Sequence, residues 1–265
     1  MNPASPGIKV CLCQALSLIA ILAMALSPAM ACAEEIRVAT ASNFRTAMSQ
    51  LAGKFENKSG HSVIPVFGST GKHYAQIING APFDAFFAAD VRRPELLEQN
   101  GISVPGSRFT YAMGKLVLWS PRANYVDAGG NVLKRGEFRY LALANPELAP
   151  YGAAARDVLE ALGLWNGLSQ RMVLGENVGQ AFLFVRSGNA ELGFVAASQL
   201  VGSNPVPMEG SLWEVPENLY RPIGQQAVLL SDTRASHAFM AYVRSEEAAR
   251  IIHENGYTNP VHAEP

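Results

Sequence analysis

The sequence predicts an α/β protein of two lobes, each a mostly parallel sheet flanked by helices. Three observations carry this. Short apolar runs of strand length alternate with helical patterns of ~10–15 residues, the mark of βαβ units. The alternation falls into two blocks, 34–115 and 116–226. One more strand and two helices follow the second block. Returning them to the first gives lobe 1 as 34–115 plus 227–265 and lobe 2 as 116–226, joined by two crossover strands.

The elements follow in order. Ile36–Ala41 is an apolar run and the first expected strand. A helix from about Phe44 to Asn57 follows, because Phe44, Ala47, Met48, Leu51 and Phe55 recur at helical spacing. Gly60 ends it. Val63–Phe67 is the second strand; Pro65 cannot donate to a ladder, so the strand belongs at an edge or a bulge. Gly68-Ser69-Thr70-Gly71 turns into a helix carrying Tyr74, Ile77 and Ile78. Asp84–Ala89 reads as a buried strand. Asp90 then caps a helix through Arg92–Gln99, with Pro94 tolerated in the first turn.

In the second block, Lys115–Trp119 is a buried strand and Pro121–Phe138 a loop-rich stretch. Tyr140–Ala144 is a strand that Asn145-Pro146 breaks. A helix runs from near Tyr151-Gly152 to Gly163 with Val158, Leu159 and Leu162 on one face. Met172–Leu174 is a strand, and Asn177-Val178 opens a helix carrying Ala181, Phe182 and Val185. Leu192–Ala196 is a strand. Residues 202–224 are rich in Pro and Gly and lack periodicity. Ala227–Leu230 is the last strand, and helices near Ala235–Val243 and Glu246–His253 close the chain.

Residues 1–33 read as a secretory leader to be set apart from the fold. Lys9 is the only charge before Glu34, and Leu16–Leu26 is an apolar run shorter than the ~20 residues a spanning helix needs. Ala29-x-Ala31 and Ala31-x-Ala33 both fit a cleavage site. This places the mature protein in the periplasm; a lipid anchor on Cys32 is the minor alternative. Cys11, Cys13 and Cys32 all lie in the leader. Cleavage after Ala33 therefore leaves no disulfide, thiolate metal site or cysteine nucleophile.

The chain holds 21 Lys and Arg against 22 Asp and Glu, with no basic patch or tail, which excludes the footprint of a nucleic-acid binder. Gly71-Lys72 is not a phosphate loop, since Val66 and His73 stand where that motif needs Gly and Ser or Thr. There is no Gly-x-Ser-x-Gly elbow and no His-Glu-x-x-His. Asp84 and Asp90 read as turn and cap residues, and the histidines as surface or packing residues. The chain is expected to act as a monomer, without a cofactor, and not as an enzyme.

Four turns share one design: a strand, then small or hydroxyl residues, then a helix start. They are Ser42-Asn43, Ser69-Thr70-Gly71, Tyr151-Gly152 and Asn177-Val178. Side-chain oxygens there are placed to cap the helices, and the first N–H groups of each helix lack intrahelical partners. With the helix dipole, such ends suit anions. Two turns fall in each lobe, as binding in a cleft requires. Taken singly, each is an ordinary cap. Together they point to an oxyanion, while a secreted hydrolase using the same turns is the reading from another class.

From Glu35 to Tyr257 the chain resembles the periplasmic molybdate-binding proteins of ABC transporters. The resemblance rests on VATASNF (38–44), FGSTGKHYAQIINGAPFDAFFAAD (67–90), GSRFTYAMGKLVLWS (106–120), NPELAPYGAAA (145–155), ENVGQA (176–181), ELGFVA (191–196) and IGQQAVL (223–229). It implies the two-lobed type II periplasmic binding fold, with molybdate or tungstate held in the cleft by uncharged donors and delivered to a permease in the inner membrane. It implies ligand contacts from Ser42 and Asn43, from Thr70 with Ser69 beside it, from Tyr151, and from the Val178 backbone N–H. Some members carry a tyrosine just after the later strand; Ala196 stands there in this chain, and Tyr151 supplies a phenol from the opposite side. The second-turn residue is commonly Ser, and Thr70 keeps its hydroxyl. Sulfate, thiosulfate or phosphate are the alternatives within this class.

Overall fold

The computed structural model describes residues 33–201 and 209–258. The leader reading, apart from Ala33, and the Cys32 alternative lie outside the described residues. From Glu34 onward the chain forms one compact unit built on two five-stranded sheets.

The first sheet takes β1 (Glu35–Ala41), β2 (Ser62–Gly68), β3 (Ala85–Phe87), β4 (Phe109–Gly114) and β10 (Ile223–Leu229), in the order β2-β1-β3-β10-β4. The second takes β5 (Leu116–Ser120), β6 (Leu141–Ala144), β7 (Met172–Gly175), β8 (Leu192–Ala196) and β9 (Ser211–Glu214), in the order β7-β6-β8-β5-β9. β1 pairs in parallel with β2 and β3, and β6 with β7 and β8. In each sheet one strand runs against the other four: β10, antiparallel to β3 and β4, and β5, antiparallel to β8 and β9. These are the strands that arrive directly from the other sheet. β4 passes into β5 through Lys115 alone, and β9 into β10 through 215–222.

Nine helices are described: α1 (Arg45–Ser59), α2 (Thr70–Ile78), α3 (Arg92–Gln99), α4 (Val132–Arg135), α5 (Pro150–Ala161), α6 (Trp165–Leu168), α7 (Val178–Arg186), α8 (Arg234–Val243) and α9 (Glu246–Glu254). The period-2 alternation of each strand divides them between sheet faces. Ile36 and Val38 of β1 join Phe87, Leu229, Met48, Leu51 and Phe239 under α1, α8 and α9. Ala39 joins Phe86, Val228, Ile77 and Leu97 on the opposite face, under α2 and α3. In the second sheet Leu118, Leu143 and Phe194 pack on Val158 and Leu159 of α5. Val117, Trp119 and Val195 pack on Phe182 and Val185 of α7.

Expected and observed elements differ at several places. β2 is an edge strand, as Pro65 requires. The first helix begins at Arg45, after a short 3-10 turn over Ser42–Phe44. β4 was not expected, and β9 and α4 lie in stretches expected to be irregular. β4 hides because a bulge breaks its alternation: the register steps from Gln225↔Ala112 to Gln226↔Thr110, skipping Tyr111. β9 is four residues long and has no periodicity to read.

Candidate functional site

The four turns expected to face an anion lie at the carboxyl ends of β1, β2, β6 and β7, two from each sheet, the place where open α/β sheets bind ligands. The fold brings all four together. Gly179 N–H of α7 donates to Ser42 Oγ at 3.1 Å, joining the first turn to the fourth. Gly71 N–H donates to the Leu148 carbonyl at 2.9 Å, joining the second to the approach of the third. Gln225 joins the first to the third: its Oε1 accepts from Asn43 Nδ2 at 2.8 Å, and its Nε2 donates to Tyr151 Oη at 3.2 Å. Ser42, Asn43, Ser69, Thr70, Tyr151 and Val178 are all buried.

Capping divides the turns. Ser69 caps α2 by accepting from Lys72 N–H, and Asn177 caps α7 by accepting from Gln180 N–H. The first turn departs from expectation. Neither Ser42 nor Asn43 caps its own helix; Ser42 serves the N-terminus of α7 across the gap between sheets. The third turn has no side-chain cap either, and Pro150 fills the first position of α5, where its missing N–H costs nothing.

The hydroxyls share one polarity. Ser42 Oγ accepts from Gly179 N–H, Thr70 Oγ1 accepts from Ala89 N–H at 3.0 Å, and Tyr151 Oη accepts from Gln225 Nε2. A hydroxyl has one hydrogen to give. In each case that hydrogen has no acceptor among the described residues. Three neutral donors are thereby left to serve something else.

Asn43 is different. Tyr257 O–H donates to the Asn43 carbonyl at 2.7 Å, so its oxygen must accept at the Asn43 side chain 3.0 Å away, which identifies that atom as nitrogen. Both Nδ2 hydrogens are then spent, on Tyr257 and Gln225. What Asn43 has left to offer is its backbone N–H. Val178 offers the same, being the first residue of α7, where the N–H has no carbonyl one turn back.

The site carries no formal charge. Lys72 pairs with Glu176 at 3.1 Å and Arg93 with Asp90, while Arg45 lies over the Phe67 ring. Burial pushes the Tyr151 phenol well above its ordinary range, so it stays protonated and a donor. Among the described residues no group of His, Cys, Asp and Glu is placed to hold a metal ion. Asp84 accepts from Arg37 N–H and Asp90 from Arg93 N–H, the structural roles expected of them. No described helix is long and apolar enough to cross a membrane. A groove of about 960 Å³ runs from Ser42 and Asn43 along α7 past Phe67, Arg186 and Val201, but Thr70, Tyr151 and Val178 do not line it.

Sequence reasoning missed Gln225, Tyr111, Tyr257 and Ser198, whose side chains form the buried polar layer behind the turns. One signal was available. Gln225-Gln226 interrupts an apolar strand, and a buried polar residue is more informative than an exposed apolar one.

Comparison with known proteins establishes the family and the fold. Residues 36–258 match the family model described as bacterial extracellular solute-binding protein. The molybdate-binding protein ModA of Azotobacter vinelandii is 50% identical over 228 residues, 85% of this chain and 90% of the relative. That of Rhodobacter capsulatus is 44% identical over 230 residues, 86% and 89% of the two chains. The solved structure of the Azotobacter vinelandii periplasmic molybdate-binding protein superposes with a TM-score of 0.81 at 45% identity, covering 85% of this chain and 99% of that one. With two five-stranded sheets joined by two crossovers and a family match across nearly all the described residues, the chain belongs to the bacterial extracellular solute-binding proteins.

Proposed function

We propose that this protein captures molybdate, or the nearly equal-sized tungstate, between its two sheets and delivers it to an ABC importer. The observation that carries the reading is the shared polarity of Ser42, Thr70 and Tyr151: each oxygen accepts an N–H and each hydrogen remains to be donated. A cation would want the reverse, free lone pairs and carboxylates. A dehydrated dianion needs donors on every oxygen, since burying it unpaired is costly. Neutral groups meet that need because bonds to a charged acceptor are roughly twice as strong as neutral ones. Ser42, Thr70 with Ser69 beside it, and Tyr151 supply hydroxyls; Asn43 and Val178 supply backbone N–H groups. The names of the relatives at 50% and 44% identity support molybdate over other oxyanions.

The protein acts as a monomer outside the inner membrane, without a cofactor and without turnover. One lobe is built on the first sheet and the other on the second, so residues 223–226 of β10 belong with 34–115 and 227–265 rather than, as expected from the sequence, with 116–226. Closure of the two on the ion is the state the permease reads, a hinge motion about the crossovers. Residues 1–33 are removed on export; mass spectrometry of the mature protein should find a start at Glu34, whereas a lipid on Cys32 would replace that with an anchored form.

Isothermal titration with molybdate, tungstate, sulfate and phosphate tests the ligand. Tight binding of the first two and weak binding of the others is expected, because a cavity fitted to the larger tetrahedron leaves long bonds to the smaller. Sulfate bound as tightly as molybdate would overturn the assignment, as would steady hydrolysis of phosphate or sulfate esters.

A further inference from the structure

We propose that Gln225 is a positioning residue that aims the Tyr151 hydroxyl hydrogen at the bound ion. This rests on the reading of Tyr151 as an oxyanion donor and says what makes it one. A phenol beside a glutamine side chain has two options. Facing the amide oxygen, it gives its hydrogen to the glutamine; facing the amide nitrogen, it accepts and keeps the hydrogen. The direction of the Gln225 amide decides which.

That direction is set by Asn43. At the oxygen end stands the Asn43 Nδ2 donor at 2.8 Å; the Tyr111 hydroxyl, 3.0 Å from the same oxygen, also has the Ala88 carbonyl at 3.1 Å as an acceptor for its one hydrogen. Asn43 Nδ2 is itself fixed as nitrogen by Tyr257, whose hydroxyl hydrogen is committed to the Asn43 carbonyl. Reversing Gln225 would set its NH2 against the Asn43 NH2 and leave buried groups without partners. The side-chain donors therefore run outward from Asn43: Asn43 to Tyr257 and to Gln225, Gln225 to Tyr151, and Tyr151 to whatever lies beyond.

The strand geometry is built around this pair. The bulge in β4 puts the consecutive residues Tyr111 and Ala112 against one core, bringing the Tyr111 phenol beside Gln225. Two residues on, Gly114 leaves the space that the pair fills. A Cβ there would stand 2.2 Å from Tyr151 Oη and 2.6 Å from Gln225 Nε2. Gln225 comes from the first sheet and Tyr151 from a helix of the second, so the bond also spans the two halves.

The test is a double-mutant cycle on the mature protein, read by calorimetric titration with molybdate. Gln225→Met keeps the length and removes both ends of the amide. It should weaken binding roughly tenfold, the effect of one bond to a charged group. In a Tyr151→Phe background the same change should cost under about threefold, because the hydrogen it aims is already gone. Gln225→Glu supplies a reading that mere packing would not move. The introduced carboxylate draws the Tyr151 hydrogen toward itself, so affinity should fall at pH 8 and recover toward pH 6 as a buried carboxyl takes up its proton; the unaltered protein should change little over that range. Gly114→Ala, which displaces the pair while leaving both residues in the sequence, should match the loss from Gln225→Met. Independent, multiplying losses in the cycle would overturn the proposal, as would unchanged affinity in Gln225→Met. If the unaltered protein ignored molybdate, or Tyr151→Phe bound it normally, the functional reading would fall and this inference with it.

Discussion

Thr70 and Tyr151 each accept a buried hydrogen bond and keep a hydroxyl hydrogen that has no acceptor among the described residues. Tyr151→Phe should weaken molybdate binding by about 1–2 kcal/mol, the usual loss of a bond to a charged acceptor. Unchanged affinity in titration would remove Tyr151 from the site. Thr70→Val keeps the shape but strips the donor and also leaves the Ala89 N–H without its partner. It should therefore lower both affinity and melting temperature, whereas Thr70→Ser should preserve both. The residue scale is where the sequence was most legible. The places of Ser42, Asn43, Ser69, Thr70, Tyr151 and Val178 at helix starts that follow strands were readable because turn chemistry is local. The division of labour among them was not. Whether Asn43 gives its side chain or its backbone depends on Tyr257 and Gln225, 214 and 182 positions away.

The helix starts show how closely the two halves approach. Gly71 N–H meets the Leu148 carbonyl, and a Cβ on Gly71 would stand 2.7 Å from that oxygen. Gly71→Ala should therefore oppose closure more than folding. The expected outcome is weaker molybdate binding, with a melting temperature in ion-free buffer near that of the unaltered protein. A large drop in ion-free stability would place the role of Gly71 in folding instead. The Lys72–Glu176 pair also spans the halves, but both side chains are about half exposed, and such pairs are worth ~0–1 kcal/mol. Lys72→Ala should change affinity less than Tyr151→Phe; a larger loss would contradict a site built on neutral donors. Elements with a long periodic face, such as α1, were legible. β4 and β9 were not, because a bulge and a four-residue length erase the pattern that reveals a strand.

For the whole molecule, burial of titratable groups sets the pH limits of stability. Tyr111 and Tyr151 are pushed well above their ordinary value of 10.0, and Tyr257 is raised too, in each case chiefly by burial. A raised folded pKa means stability is intact below the unfolded value and lost as pH climbs through the folded one. The melting temperature should therefore fall above about pH 10. His73 is shifted the other way, below 6.5, again chiefly by burial, and its Nε2 has no partner among the described residues. Its contribution is present above pH 6.5 and lost on acidification, so stability should also fall on the acid side. Between these limits molybdate should raise the melting temperature in proportion to the logarithm of its concentration, as any ligand of the folded state does. Scanning calorimetry across pH, with and without the ion, measures all three.

The sequence by itself determined the α/β class, the alternation of elements, the four strand-to-helix turns and, through family resemblance, the type II architecture. These are local or cumulative signals: apolar periodicity, breaker residues and a motif order that runs the length of the chain. Only the tertiary structure decided which donor faces which acceptor. The return of β10 to the first sheet brings Gln225 between Asn43 and Tyr151, and the one-way run of hydrogen bonds through those residues leaves the hydroxyl hydrogens to be donated. A hydrogen bond has a direction, and that direction is set by partners far apart in sequence and adjacent in space.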